Sequence, residues 1–214
     1  RKESSAASDV YKRQQQRRIK RTIMKVVIAL PRTGSQSYYH QEIVKKNIGW
    51  LHFHEALGHG EVHHQQTHDK LLSTDKSSVK IFPWFENQNH MDMIMDVMRG
   101  ASEITYLTRR DFKAQCRSMW VANYTGLWLN HNVKKHIDLT NINEVEYRRH
   151  GYTVLNKWQE VELLYSRFPG KVVALEDRIQ EPYLSPYTYT GEFPDISDID
   201  QYFELFKSKS TIFN

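Results

Sequence analysis

The chain has 214 residues, 39% hydrophobic and 26% charged, a balance that suits one α/β domain with a sizeable core and leaves little room for a second. No run approaches the roughly 18 consecutive apolar residues of a membrane-crossing helix, and the N-terminal stretch is polar where a secretion signal would be apolar, so a cytoplasmic protein is expected. A formal net charge of +5 invites a nucleic-acid partner, but residues 1–22 hold 8 of the 30 Lys and Arg and only 2 of the 25 Asp and Glu. The remainder is near neutral, which argues against specific nucleic-acid binding. A single cysteine, Cys116, rules out an intramolecular disulfide.

Residues 1–22 form a basic leader with no apolar periodicity, and "RKESSAASDVYKRQ" resembles a translated adapter scar, so residues 23–214 are taken as the single folded domain. From there, short β-rich runs alternate with helical patterns. Strands are expected at MKVVIAL (24–30), WLHFH (50–54), VKIFPWF (79–85), EITYLTR (103–109) and KVVALE (171–176). Helices are expected at 36–47, 89–99, 111–126, 143–168 and 196–208, and residues 183–195 read as an irregular aromatic loop. This alternation predicts a mainly parallel central sheet flanked by helices, with ligands beyond the carboxyl ends of the strands.

Two strand ends carry chemistry. "VVIALPRTGSQS" breaks a strand at Pro31, Arg32, Thr33, Gly34 and Ser35 and restarts as a helix, whose first N–H groups are a ready anion site. An ordinary ATP loop needs GxxxxG followed by Lys and Ser or Thr, and this stretch lacks it. "YLTRRDFKAQCRSMW" repeats the design: Arg109 and Arg110 end a strand, Asp111 caps the next helix, and Ser118 lies two turns along.

These two motifs, in this order, resemble the sulfotransferases that use 3′-phosphoadenosine 5′-phosphosulfate (PAPS). In that family a Pro–basic–hydroxyl–Gly–Ser/Thr loop holds the 5′-phosphosulfate, as P-R-T-G-S at 31–35 would here, and an Arg with a Ser eight residues later holds the 3′-phosphate, as Arg110 and Ser118 would. "RRDFKAQCRS", with Gln115, looks most like the bacterial trehalose-sulfotransferase-like branch. That branch also has a Glu after its second strand (like Glu55), a Lys-bearing third strand (like "VKIFPW") and an acidic pair after a late strand (like Glu176 and Asp177).

The resemblance implies a P-loop-NTPase-like three-layer fold and in-line transfer of a sulfuryl group from PAPS to a hydroxyl of a small-molecule or carbohydrate acceptor. Arg32, Thr33, Gly34, Ser35, Gln36, Ser37, Arg110 and Ser118 would bind the donor. Arg32 would also stabilise developing charge, and Glu55, with His54 as runner-up, would take the acceptor proton. No metal is expected. Gln36 stands where the family usually has a second hydroxyl, and "FKSKS" (206–210) is the one faint candidate for its last basic loop.

Other readings weigh the same residues differently. A P-loop-like kinase is opposed by the missing Walker residues. A non-enzymatic metal- or nucleic-acid-binding module would rest on the basic leader and on His52, His54, His59, His63, His64 and His68. "HEALGH" misses the HExxH zinc pattern by one residue, and the i,i+4 pairs His59/His63 and His64/His68 lack a clear third ligand. Cys116 reads as a packed helix residue, and Trp84, Phe85, Trp120, Tyr124 and Trp128 as packing aromatics rather than a sugar platform.

Overall fold

The computed structural model describes residues 22–55, 57, 64–83, 87–126, 135–178 and 187–214. Residues 1–21, Ala56 and Gly58 of "HEALGH", His59, His63, Trp84, Phe85, Trp128 and residues 183–186 of the aromatic loop lie outside the described residues.

The first apolar run forms β1 (Ile23–Ala29), and helix α1 (Ser35–Tyr38) follows and widens into a π-helical turn over Tyr39–Val44. Then come β2 (Leu51–Phe53), α2 (His64–Ser73), β3 (Lys76–Ile81), α3 (Gln88–Gly100), β4 (Glu103–Thr108) and α4 (Phe112–Thr125). The chain continues through β5 (Lys135–Asp138), α5 (Glu144–Arg167), β6 (Lys171–Ala174), β7 (Tyr187–Thr190) and α6 (Ser197–Lys209). Strands β2, β3, β1, β4 and β6 make one sheet in that order, and every pair in it is parallel.

The period of two along β1 sorts its side chains onto two layers. Val27 and Ala29 join Leu107 of β4 and pack against Tyr38, Tyr39 and Ile43 on one face. Met24, Val26 and Ile28 face the larger core on the other, with Ile94 and Val97 of α3, Phe112 and Cys116 of α4, Trp158 of α5 and Phe203 of α6. Burial on both faces is what a parallel sheet requires, and it explains the unbroken apolar run at 26–30.

Among the described residues three helices start on side-chain caps, each worth about 1 kcal/mol. Asn87 accepts from the N–H of His90, Asp111 from Ala114 and Asn143 from Glu146.

Three segments depart from the expected elements. Residues 64–73 are helical, with His68 and Leu71 turned inward. Within the aromatic loop, β7 pairs in parallel with β5 as a separate two-stranded sheet. Strand β3 begins at Lys76, three residues earlier than expected, and ends at Ile81.

Candidate functional site

β1 and β4 are adjacent and parallel, so the chain leaves both at the same edge of the sheet. In the first loop Arg32 (φ 67°) and Gly34 (φ 70°) are both left-handed. Gly34 suits that conformation, and a Cβ there would lie 2.4 Å from Leu175 Cδ1. Arg32 bears a side chain in a region that costs of order 1–3 kcal/mol, which the surrounding structure must offset.

That offset comes from Arg109, just beyond β4, and from α4 and α5. The carbonyl of Arg32 accepts from Arg109 Nη1 at 3.0 Å, and the carbonyl of Pro31 accepts from Gln115 Nε2 at 3.0 Å. Gln115 is fully buried, and its own carbonyl accepts from Trp158 Nε1 at 3.0 Å. The Thr33 hydroxyl donates to the carbonyl of Leu30 at 2.8 Å. Three consecutive carbonyls are therefore held by the protein. A trans peptide points its N–H away from its carbonyl, so the N–H groups of Arg32 and Thr33 turn away from Gln115 and Arg109. At the start of α1, Gly34 supplies no side-chain cap. This is a loop biased to present N–H donors.

The Arg32 side chain crosses to the second motif, where its Nε donates to Ser118 Oγ at 2.7 Å. Arg109 lies beneath, its guanidinium pKa held below the ordinary value first by burial, with Asp111 and Glu176 favouring the charge and Arg32 opposing it. An anion near Arg32 would relieve that like-charge opposition. Arg110 points elsewhere: its guanidinium pairs with both Asp177 carboxylate oxygens at 2.6 and 2.9 Å. That hydrogen-bonded pairing raises its pKa further.

On the other side of β1, Lys80 of β3 is fully buried, its ammonium 5.0 Å from the Phe82 ring centroid. It donates to Gln36 Oε1 and to Glu55 Oε1, both at 2.8 Å. One cation thus ties the first turn of α1 to Glu55, which sits in a left-handed conformation (φ 53°) just beyond β2. His54 turns toward Tyr39, ring centroids 4.8 Å apart and edge-on. Its pKa is lowered first by burial and then by Lys80. Tyr39 shares Ser78 Oγ with His52 Nδ1, each contact 2.7 Å, and burial pushes the Tyr39 phenol up to about 12.

The structure therefore brings Arg32, Gly34, Ser118, Gln36 and Glu55 into one constellation through Arg109, Gln115 and Lys80. Residues that the resemblance groups have other partners here. Ser118 meets Arg32, while Arg110 meets Asp177. The Thr33 hydroxyl faces inward, which leaves that residue only its backbone to offer a ligand. Ser35 is buried and Ser37 exposed. "FKSKS" finishes α6, where Lys207 pairs with Glu204 and Ser210 with Glu162.

Gln115, Lys80 and Arg109 carry more of the geometry than their sequence context announced. A signal existed for Lys80, a charge set between the apolar Val79 and Ile81 of a strand. Cys116 is fully buried, and burial raises its thiol pKa. Among the described residues no three His, Cys, Asp or Glu side chains gather as a metal-ligand set, and no helix is long and apolar enough to cross a membrane. No protein-family model matches the chain, and no curated protein matches it.

Proposed function

We propose that the chain is a sulfotransferase that moves a sulfuryl group from PAPS to a hydroxyl of a small-molecule or carbohydrate acceptor, on a P-loop-NTPase-like core. The observation that carries this reading is the 2.7 Å contact between Arg32 and Ser118, 86 residues apart, because it joins the two motifs on which the resemblance rests. The strand order supports it as well, since the central β1 feeds the anion loop with β3 on one side and β4 on the other. The donor set suits a doubly anionic ligand: N–H groups of a loop whose carbonyls are held, the Arg32 guanidinium, and Arg110 with Ser118 near the neighbouring strand tip.

PAPS, when bound, supplies an activated sulfuryl group and a stable phosphate leaving group. Arg32 and the N–H groups of residues 33–36 would hold the 5′ end and place positive charge where negative charge grows. Ser118 and Arg110 would hold the 3′-phosphate. Glu55 would accept the acceptor's proton: Lys80 fixes its Oε1, and its side chain is 46% exposed, which leaves it within reach of an incoming alcohol. His54, set edge-on against Tyr39, is the lesser candidate.

The test is acceptor-dependent release of adenosine 3′,5′-bisphosphate from PAPS, measured across a panel of sugars and simple alcohols in the presence of a chelator. Turnover that survives the chelator and falls by roughly 10²–10⁴-fold in Glu55→Gln, with His54→Asn much less affected, supports the assignment. Release that never depends on an acceptor contradicts it.

A further inference from the structure

The turn after β6 lays three consecutive residues on the two loops. Leu175 donates its N–H to the Thr108 carbonyl at 2.9 Å, and its side chain fills the space beside Gly34. Glu176 Oε1 accepts the N–H groups of Arg110 at 2.9 Å and Asp111 at 3.1 Å. Asp177 takes the Arg110 guanidinium with both oxygens. Two backbone N–H groups and a guanidinium at a strand tip are a donor set of the kind that binds phosphate, and here the chain's own carboxylates fill it.

The two carboxylates are not equally replaceable. Glu176 Oε2 is buried with no hydrogen-bond partner among the described residues, and the residue as a whole is half-buried. The Asp177 and Arg110 side chains are 56% and 49% exposed. A half-exposed ion pair is weak, and a guanidinium fork matches phosphate as well as it matches carboxylate.

We infer that Asp177 sets the affinity and selectivity of the donor site: it occupies Arg110 until the second phosphate of a bisphosphate nucleotide displaces it. This rests on the donor reading above. Asp177 both competes for the cation and places a like charge beside the arriving phosphate, so it diminishes the advantage that a second phosphate would otherwise confer. Glu176 remains in place throughout and keeps the strand tip in shape.

The test is calorimetric titration of adenosine 3′,5′-bisphosphate and AMP into the full chain, wild type, Asp177→Asn, Asp177→Ala, Arg110→Ala and the Arg110→Ala/Asp177→Asn double variant, at one ionic strength. Both Asp177 variants are expected to bind the bisphosphate about twofold to fivefold more tightly than wild type, with AMP unchanged. In the Arg110→Ala background the gain is expected to fall to the smaller part that like-charge repulsion contributes, and an undiminished gain there overturns the inference. Bisphosphate affinity in both Asp177 variants equal to or below that of wild type, with wild type still binding, overturns the inference and leaves the donor reading standing. Bisphosphate that binds neither wild type nor any variant removes the donor reading, and the inference with it.

Discussion

The loop after β1 and the loop after β4 leave neighbouring strands at one sheet edge, yet the chain ties down opposite halves of their polar groups. In the first, the captured groups are acceptors: the carbonyls of Leu30, Pro31 and Arg32 go to Thr33, Gln115 and Arg109. In the second, the captured groups are donors: the N–H groups of Arg110 and Asp111 go to Glu176, and the Arg110 guanidinium to Asp177. Holding acceptors in place leaves donors already oriented for an anion, which is preorganisation. Holding donors with carboxylates means that a ligand has to exchange for a partner already present. On the proposed donor reading, the first loop is a fixed half-site and the second an adjustable one.

The contrast breaks if the first loop is not held by its buried clamp. Gln115→Leu orphans the Trp158 N–H and the Pro31 carbonyl in the core, each at about 1–3 kcal/mol, so urea denaturation is expected to show a loss of about 2–4 kcal/mol. A loss below about 0.5 kcal/mol would show that the loop keeps its form without the clamp.

The next effect sharpens the same contrast on the side of β3. Glu55→Ala strips a carboxylate from a fully buried ammonium and is expected to cost about 3 kcal/mol, the lower end of the range for broken buried pairs because Gln36 still accepts from Lys80. Adding Lys80→Met removes the stranded charge, so the double variant is expected to recover most of that loss. Equal destabilisation of the single and double variants would mean that Glu55 acts on stability through something other than Lys80.

The smallest effect lies away from both loops and separates site chemistry from general acid sensitivity. Burial alone lowers the pKa of His150 on α5 below its ordinary 6.5. Above that value the ring is neutral in both states and stability is flat. As pH falls through 6.5 the unfolded chain takes up a proton that the folded chain refuses, so stability declines until pH reaches the lowered folded value. The slope from this one group is at most about 1.4 kcal/mol per pH unit. Thermal melts of His150→Gln between pH 7 and pH 5 are expected to show a shallower decline than wild type. An identical decline would remove His150 as its source.

Most of the architecture could be read from apolar runs, because strands buried on both faces cannot hide their composition. Helix α2 could not: "HQQTHDKLLS" carries no apolar stripe, and only His68 and Leu71 are buried. The β5–β7 pair is only four residues on each side, KHID and YTYT; Tyr, Thr and Ile favour strands, but each segment is too short to announce a partner about 50 residues away. At the site, the loop at 31–35 and the Asp111 cap were legible because turn and cap chemistry is local. The Arg32–Ser118 contact was not. The resemblance groups Arg110 with Ser118, and nothing in the sequence reveals that a left-handed Arg32 reaches Ser118 from another strand while Asp177 pairs with Arg110.

The central claim is that the two half-sites together recognise one ligand with two phosphates, and titration calorimetry of wild type with adenosine 3′,5′-bisphosphate, AMP and ATP tests it without knowledge of the acceptor. The account predicts tighter binding of the bisphosphate than of AMP or ATP, and a loss of roughly tenfold or more in Arg110→Ala for the bisphosphate alone, the size of one charge-assisted contact. Equal affinity for AMP and the bisphosphate, unchanged by Arg110→Ala, would contradict it.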